Sequence, residues 1–220
     1  MKKIYAISDI HGHIEEFDEA LSLIDLNDPD NALVLLGDYI HGHDSYAVLD
    51  RVMELEQKYG RDRVIVLMGN HEEFVLMGLC GIDESDDVHR EPKDAEKYLK
   101  WMNGLRLYYK TDRQIFCHAG IDESAGDLWE WGTPEATFVG KMPPQKGRFY
   151  MDIIAGHTGT QTISGISGYH DVYYDGKSHF YIDGSVNNGG RLAVLMIDLD
   201  KRTYYELKAD GLHKIKSYRA

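Results

Sequence analysis

The chain has 220 residues, of which 43% are hydrophobic and 28% are charged, and its formal net charge is −13 at pH 7. This composition is typical of a soluble globular protein that can bury a substantial core. The negative charge argues against a broad nucleic-acid interface, and no apolar run reaches the ~18 residues of a membrane span. We therefore expect neither nucleic acid nor a membrane as a partner. The N-terminus turns polar at Ser8 and Asp9, too early for a secretory signal, which predicts a cytoplasmic protein.

The first half of the chain alternates predicted strands and helices. Strands are predicted at 3–9, 32–38 and 63–70. Apolar residues from Ile14 onward recur at helical spacing after the first strand. Asp44 or Ser45 can cap the next helix, which Gly60 ends, and the apolar segment 72–80 is also predicted to be helical. This order predicts parallel strands joined by helical crossovers.

The second half turns to β-structure after an acidic loop predicted at 83–92 and a helix predicted at 94–103. Further strands are predicted at 113–120, 152–158, 191–200 and 203–209. The segment 170–184 is a predicted hairpin with its turn at Asp175. We expect an α/β protein in which two packed sheets are flanked by helices, as a single domain of all 220 residues.

Polar side chains of types that can bind metal ions stand where the predicted strands end. These residues are Asp9, His11, Asp38, Asn70, His71, His118 and His157. The carboxyl ends of strands in open α/β sheets form the ligand crevice, and carboxylate, amide and imidazole donors suit hard or borderline divalent metals. Each short motif alone is also compatible with a polar turn or a structural histidine. Their ordered combination favours a metal site.

Five sequence blocks together resemble the calcineurin-like metallophosphoesterases. They are DIHG (9–12), GDY (37–39), GNHE (69–72), HAG (118–120) and GHT (156–158). Within that family, the chain is similar to the phosphoprotein phosphatases and their bacterial relatives, which include diadenosine tetraphosphate hydrolases. The resemblance covers most of the chain and implies an α/β/β/α sandwich of two mixed sheets flanked by helices.

The resemblance also implies a centre of two divalent metal ions, with manganese favoured and iron or zinc as alternatives. The implied ligands are Asp9, His11 and a bridging Asp38 for the first ion, and Asp38, Asn70, His118 and His157 for the second. A hydroxide that bridges the two ions would attack phosphorus directly, without a phosphoenzyme intermediate. His71 would be the general acid that protonates the leaving oxygen, a contribution typically worth ~10²–10⁴ in rate.

One block departs from the family pattern GDxxDRG, in which the later aspartate orients the general acid and the arginine binds substrate phosphate. The chain reads GDYIHGHDS at 37–45. If the chain is aligned with the family pattern without a gap, His41 stands at the position of the later aspartate and Gly42 at that of the arginine. If one residue is deleted, His41 takes the arginine position instead. We prefer the deletion and expect His41, with His43, to contact substrate phosphate, the alternative being two solvated loop histidines. Asp44 is interpreted as a helix cap rather than as the missing orienting residue.

The leading interpretation is a dinuclear metal-dependent phosphatase that resembles a serine/threonine protein phosphatase. Its substrates would be phosphate monoesters of a phosphorylated protein, a peptide or a small phosphoester. A hydrolase of dinucleoside polyphosphates such as diadenosine tetraphosphate is the alternative enzyme, but it needs cationic contacts to several phosphates, for which the acidic chain offers few candidates. A non-catalytic, metal-holding regulatory module is the alternative from another class, and the presence of His71 argues against it.

Overall fold

The computed structural model describes residues 1–83 and 95–217. The α-helices are Ile14–Ser22 (α1), Ser45–Tyr59 (α2), Asn70–Leu76 (α3), Ala95–Met102 (α4), Trp129–Gly132 (α5), Glu135–Gly140 (α6) and Thr160–Ser164 (α7). The strands are Lys3–Ile7 (β1), Asn31–Leu35 (β2), Val64–Val66 (β3), Tyr108–Lys110 (β4), Gln114–Cys117 (β5), Asp152–Ala155 (β6), Tyr173–Tyr174 (β7), His179–Tyr181 (β8), Val194–Asp198 (β9), Thr203–Lys208 (β10) and Gly211–Ser217 (β11). Short 3-10 helices lie at Glu123–Leu128 and Val186–Asn188.

Two mixed sheets form the centre of the fold. The first has the order β11-β10-β9-β1-β2-β3, with β1, β2 and β3 parallel and the other pairs antiparallel. The second has the order β4-β5-β6-β8-β7, with β5, β6 and β8 parallel and each edge strand antiparallel to its neighbour. The predicted parallel pairing of the first three strands is therefore confirmed.

Alternation of side chains along the strands divides the core into layers. Ile4 of β1 and Phe180 of β8 lie in one apolar cluster between the two sheets. Tyr5, the next residue on β1, belongs to a second cluster that includes buried side chains of α1, α2 and α4. Trp129 of α5 belongs to a third cluster on the outer face of the second sheet. The order helices–sheet–sheet–helices confirms the predicted α/β/β/α sandwich.

Most of the predicted elements are present, with boundaries shifted by a few residues. Asp44 is the N-cap of α2, and its carboxylate accepts the backbone N–H of Ala47 at 3.2 Å, while Gly60 follows the last turn. The hairpin of β7 and β8 is antiparallel, as predicted. The exposed loop predicted at 83–92 lies, apart from Asp83, outside the described residues.

Several features of the fold differ from the sequence prediction. Helix α3 begins at Asn70, so the GNHE block lies at the start of the helix rather than before it. Strands β4 and β11 were not predicted, because the first is only three residues long and the second is an edge strand of mixed polarity.

Within the described residues, no helix combines the length and the apolar character needed to cross a membrane.

Candidate metal centre

The ends of five strands deliver polar side chains to one cleft. Asp9 and Asp38 follow β1 and β2, and Asn70 follows β3. His118 and His157 follow β5 and β6 of the second sheet, so the two sheets contribute from opposite sides. Other residues that line the cleft are His11, His71, Thr162, Asp183, Ser185, Asn187 and Asn188. The convergence follows from parallel pairing, which gathers the carboxyl ends of the strands at one edge.

Asp38 lies at the centre of the histidine cluster and is almost fully buried, with 2% of its surface exposed. Its Oδ2 atom is 3.4 Å from Nε2 of His118, 3.7 Å from Nε2 of His71 and 3.8 Å from Nε2 of His11. The donor groups form two clusters, each with its ligand atoms within 4.8 Å of one another, and Asp38 belongs to both. A carboxylate with two oxygens in this position is suited to bridge two cations.

Asn70 gathers the donors of the second cluster. Its Oδ1 atom is 2.9 Å from Nε2 of His118 and 2.9 Å from Nδ1 of His157. The amide oxygen thus contacts both imidazole nitrogens, and His118 in turn lies beside Asp38. Mixed nitrogen and oxygen donors of this kind are a borderline divalent set, although they do not select one metal.

Two hydrogen bonds set which ring nitrogen of His11 and of His118 faces the cleft. Nδ1 of His11 is 3.0 Å from the carbonyl oxygen of Ile40, and Nδ1 of His118 is 3.0 Å from that of Leu36. A carbonyl oxygen only accepts, so Nδ1 carries the hydrogen in both rings. Nε2 is therefore the atom left to bind a cation, which is the arrangement usual for metal-binding histidines.

Asp9 is held by the backbone of the second sheet. The backbone N–H of His157 donates to both carboxylate oxygens of Asp9, at 3.2 and 3.0 Å. Gly156 permits this approach, because a Cβ at that position would lie 2.2 Å from Oδ2 of Asp9. The blocks DIHG and GHT thus contact each other directly. Gly156, the first residue of GHT, leaves no room for a side chain.

The electrostatics of the cleft favour bound positive charge. Burial, together with the nearby Asp38 carboxylate, raises the pKa of Asp9 to about 6, although His118 opposes the shift. Burial also opposes ionisation of Asp38, but His118 and the other imidazoles outweigh it and hold the pKa of Asp38 below its ordinary value. Burial raises the pKa of Asp183 to about 7, with Asp9 adding to the effect. Three carboxylates in one cleft repel one another, and divalent cations would relieve that repulsion.

Backbone strain is concentrated at the same place. Among described residues other than glycine, positive φ angles occur at Asp9, His11, Asp38, His41, His157, Ser185 and Arg202. All but Arg202 lie at the cleft or contact a residue that lines it. Left-handed backbone costs about 1–3 kcal/mol per residue and persists where the surrounding structure enforces it. Its clustering at the cleft is typical of a functional site.

A comparison with models of known protein families identifies the family of this chain. The model of the family described as calcineurin-like phosphoesterase matches residues 2–181. The chain belongs to this family. The predicted resemblance is confirmed, and the protein is a metallophosphoesterase, a class of hydrolase whose members use divalent metal ions.

Individual relatives cover different parts of this calcineurin-like phosphoesterase. The symmetrical bis(5'-nucleosyl)-tetraphosphatase of Nitrosospira multiformis is 31% identical over 124 residues, which cover 54% of this chain and 43% of that protein. The matched region is therefore less than half the length of that relative. The cold-active protein-tyrosine phosphatase of a psychrophile Shewanella species superimposes with a TM-score of 0.65 at 19% identity, covering 98% of this chain and 81% of that one. A putative diadenosine tetraphosphatase gives 0.57 at 16% identity, covering 100% and 95%.

The loop that departs from the family pattern places His41 inside the protein. His41 is 8% exposed, and its Nε2 atom is 2.8 Å from the carbonyl oxygen of Gly81. Its Nδ1 atom is 2.5 Å from Nδ1 of His71. Both ring nitrogens are therefore engaged within the protein, which does not support our expectation that His41 contacts substrate phosphate. The contact with His71 matches the alignment without a gap, in which His41 stands at the orienting aspartate.

His43 lies on the outside of the same loop. Its side chain is exposed, and its ring packs against that of His13 with the centroids 5.0 Å apart. Nε2 of His13 in turn is 2.9 Å from Oδ1 of Asn187 at the cleft wall. His43 thus lies near the cleft rim, and a phosphate contact by His43 stays a prediction.

Two residues important for the cleft were missed in the sequence. Glu72 is fully buried, and its carboxylate accepts the backbone N–H groups of Asp38 and Tyr39 at 2.8 Å each and of Gly69 at 3.0 Å. Asp183 is 7% exposed and lines the same cleft as Asp9. Glu72 stands within GNHE and Asp183 follows strand β8, so their positions after predicted strands were the available indication.

Proposed function

We propose that this calcineurin-like phosphoesterase is a dinuclear phosphatase that hydrolyses phosphate monoesters. The observation that carries the proposal is the position of Asp38, whose Oδ2 atom is within 3.8 Å of the imidazoles of His118, His71 and His11. Two candidate ligand clusters share this one carboxylate. A shared carboxylate is the feature that distinguishes a two-metal site from two separate sites.

The ligand assignment follows from the donors that face each side of Asp38. Asp9 and His11 would complete the first site, since their Oδ1 and Nε2 atoms are 3.9 Å apart and His11 presents Nε2 to the cleft. Asn70, His118 and His157 would complete the second site. When bound, two divalent ions supply Lewis-acid activation of water and of the phosphoryl oxygens. Manganese is the preferred ion, with iron and zinc as alternatives.

His71 is the proposed general acid. Its side chain is 29% exposed, and its Nε2 atom is 3.7 Å from Oδ2 of Asp38. That nitrogen therefore faces the region in which a substrate phosphate would bind beside Asp38. A proton on Nε2 can pass to the leaving oxygen as the phosphorus–oxygen bond breaks, so that an alkoxide does not have to leave as an anion.

The charge of the cleft favours one phosphoryl group over a chain of several. Among the described residues, neither arginine nor lysine lines the cleft. Lys146, which lies between His118 and His157 in the sequence, donates instead to the carbonyl oxygen of Ile163 at 2.7 Å. A monoester can be neutralised by metal ions alone, whereas a tetraphosphate needs cationic contacts beyond them. A phosphorylated protein or peptide or a small phosphoester is the proposed substrate class.

Hydrolysis of dinucleoside tetraphosphates is the second candidate. It is favoured by the sequence similarity to symmetrical bis(5'-nucleosyl)-tetraphosphatases. Turnover of a phosphoserine peptide and of diadenosine tetraphosphate by manganese-loaded protein separates the two. We expect the higher kcat/KM on the peptide; the reverse order would establish the second candidate. Metal binding without turnover of either substrate would indicate a non-catalytic module instead.

A further inference from the structure

The contact between His41 and His71 determines where the protons of both rings lie. Nε2 of His41 is 2.8 Å from the carbonyl oxygen of Gly81, which only accepts. Nε2 of a neutral His41 therefore carries the hydrogen, and Nδ1 has a free lone pair. Because Nδ1 of His71 is 2.5 Å from Nδ1 of His41, the hydrogen between the rings belongs to His71. This places Nδ1–H on His71 and leaves its Nε2 atom for the cleft.

We propose that His41 is the positioning residue of the general acid His71, acting as a neutral acceptor where the family pattern has an aspartate. The proposal rests on the proposed function, because it assigns a partner to the same acid. His41 does not touch the substrate. It accepts a hydrogen bond from Nδ1–H of His71 and fixes the plane of that ring.

The same hydrogen bond persists through the proton transfer. Before the transfer, His71 carries hydrogens on both nitrogens, and Nδ1–H donates to His41. When Nε2 gives its proton to the leaving oxygen, His71 becomes the neutral Nδ1–H tautomer and still donates to His41. One proton leaves Nε2 and one arrives at the leaving oxygen, while His41 is unchanged. His71 therefore keeps its orientation in both states, which a partner-free ring would not.

The loop around His41 is built to hold this ring. The φ angle of His41 is 67°, a left-handed conformation that histidine, asparagine and aspartate adopt more readily than most residues. Its backbone N–H donates to Oγ of the fully buried Ser45 at 3.0 Å. Gly42 is required beside it, since a Cβ there would overlap the carbonyl oxygen of His11. These contacts fix the backbone independently of the His41 ring.

Two variants separate positioning from a merely structural role. His41→Asn retains an acceptor, because Oδ1 of asparagine and Nδ1 of histidine are both bonded to Cγ. His41→Gly removes the acceptor while tolerating the positive φ angle. The first readout is the ¹⁵N and ¹H NMR spectrum of the histidine rings in the metal-free protein, with the His71 signals identified by their absence in His71→Gln. We expect a protected Nδ1–H on His71 in the wild type and in His41→Asn, but not in His41→Gly.

The second readout is the dependence of kcat on the leaving group with manganese-loaded protein. We expect His41→Gly to lower turnover of an alkyl phosphate about 10- to 100-fold more than turnover of p-nitrophenyl phosphate, because only the alkoxide needs the acid. His41→Asn should restore most of the difference. Equal losses on both esters, or a wild-type His71 protonated on Nε2 alone, would overturn the proposal. If the wild type hydrolyses neither ester, the proposed function fails, and the NMR spectrum still decides whether His41 accepts from His71.

Discussion

The carboxylate of Glu72 accepts the backbone N–H of Asp38 at 2.8 Å, although the two residues are 34 positions apart in the chain. Glu72 lies on α3, so this buried contact ties the helix that carries Asn70 and His71 to the turn that follows β2. The same carboxylate also accepts from the backbone N–H of Tyr39 at 2.8 Å. The distance between the proposed bridging carboxylate and the proposed acid is therefore fixed by backbone contacts, before any metal binds.

Replacing Glu72 should disturb this geometry. In Glu72→Gln, one of the two side-chain acceptors becomes an NH₂ group that faces a backbone N–H donor. We expect a loss of about 1–3 kcal/mol in the free energy of unfolding, together with weaker manganese binding. Urea denaturation and calorimetric titration measure the two effects. Glu73→Gln, on the same helix but partly exposed, is the control and should change neither; an unaffected Glu72→Gln protein would refute the positioning role.

Gly156 offers a test that alters no donor group. In Gly156→Ala, the added Cβ would lie 1.9 Å from Oγ of Ser8 and 2.2 Å from Oδ2 of Asp9, so the Asp9 carboxylate must move. We expect manganese affinity to fall at least about tenfold, since ligand geometry in such sites is sensitive to small shifts. Gly140→Ala is the matched control, because a Cβ at Gly140 meets nothing within 4 Å. Retention of wild-type affinity in Gly156→Ala would contradict the assignment of Asp9.

The proposed acid role of His71 predicts a selective loss of activity. His71→Asn should lower turnover of an alkyl phosphate by about 10²–10⁴. Turnover of p-nitrophenyl phosphate should fall far less, because p-nitrophenolate leaves without a proton. Steady-state kinetics on the two esters with manganese present measure the difference. A uniform loss on both esters would instead assign His71 to metal binding, since it also lies within reach of His11 and Asp38 as a potential ligand.

A buried ionic cluster away from the cleft predicts a pH-dependent stability. Nε2 of His179 is 2.9 Å from Oε1 of Glu123, and its Nδ1 is 3.1 Å from Oδ2 of Asp175. Burial lowers the pKa of His179, but the hydrogen bond and charge of Glu123, with Asp175, outweigh it and raise the pKa above its ordinary value. Because the folded-state pKa is the higher one, the stabilisation is fully present below the unfolded value of about 6.5. It is lost as the pH rises through the folded-state pKa.

This sign can be checked with His179→Gln. We expect the variant to lose about 1–3 kcal/mol of unfolding free energy at pH 5.5–6, a range chosen to lie below the unfolded pKa of about 6.5. The difference from the wild type should shrink as the pH rises above that value. Denaturation of metal-free protein across the pH range measures it. His213→Gln is the control, because the contact of His213 with Asp210 is at the surface. A deficit in His179→Gln that grows with pH would refute the account of this cluster.

The sequence predicted the donors of the cleft because each one follows an apolar strand within a short motif. Asp9, Asp38 and Asn70 are local in this sense, and parallel pairing of their strands is enough to bring them together. The alignment without a gap offered His41 at the orienting aspartate, but the contacts that hold its ring were not predictable in the same way. One of them is made by the carbonyl oxygen of Gly81, forty positions along the chain, which lies beside the ring Nε2 atom. Periodicity and spacing carry no information about such a contact.

The fold was predicted to a similar extent and for similar reasons. Strands that are buried on both faces, such as β1 and β2, are recognisable as continuous apolar runs. Helix α3 was placed two residues late, because its N-cap is Gly69, which has no side chain to accept from the first turn and so leaves no capping signal in the sequence. The edge strand β11 has only two large apolar residues, Leu212 and Ile215, which do not alternate with polar ones, and no buried residue among 211–216 marks one of its faces.

The central claim is that Asp38 is shared by two metal ions, and manganese stoichiometry tests it most directly. Wild-type protein and Asp38→Asn would be loaded with manganese, freed of excess ions and analysed for bound metal, with hydrolysis of p-nitrophenyl phosphate measured in parallel. Asp127→Asn, at an exposed position outside the cleft, is the control. We predict about two ions per chain and turnover in the wild type and the control, and loss of both in Asp38→Asn. Two ions retained by Asp38→Asn, or a wild-type protein that binds none, would contradict the account.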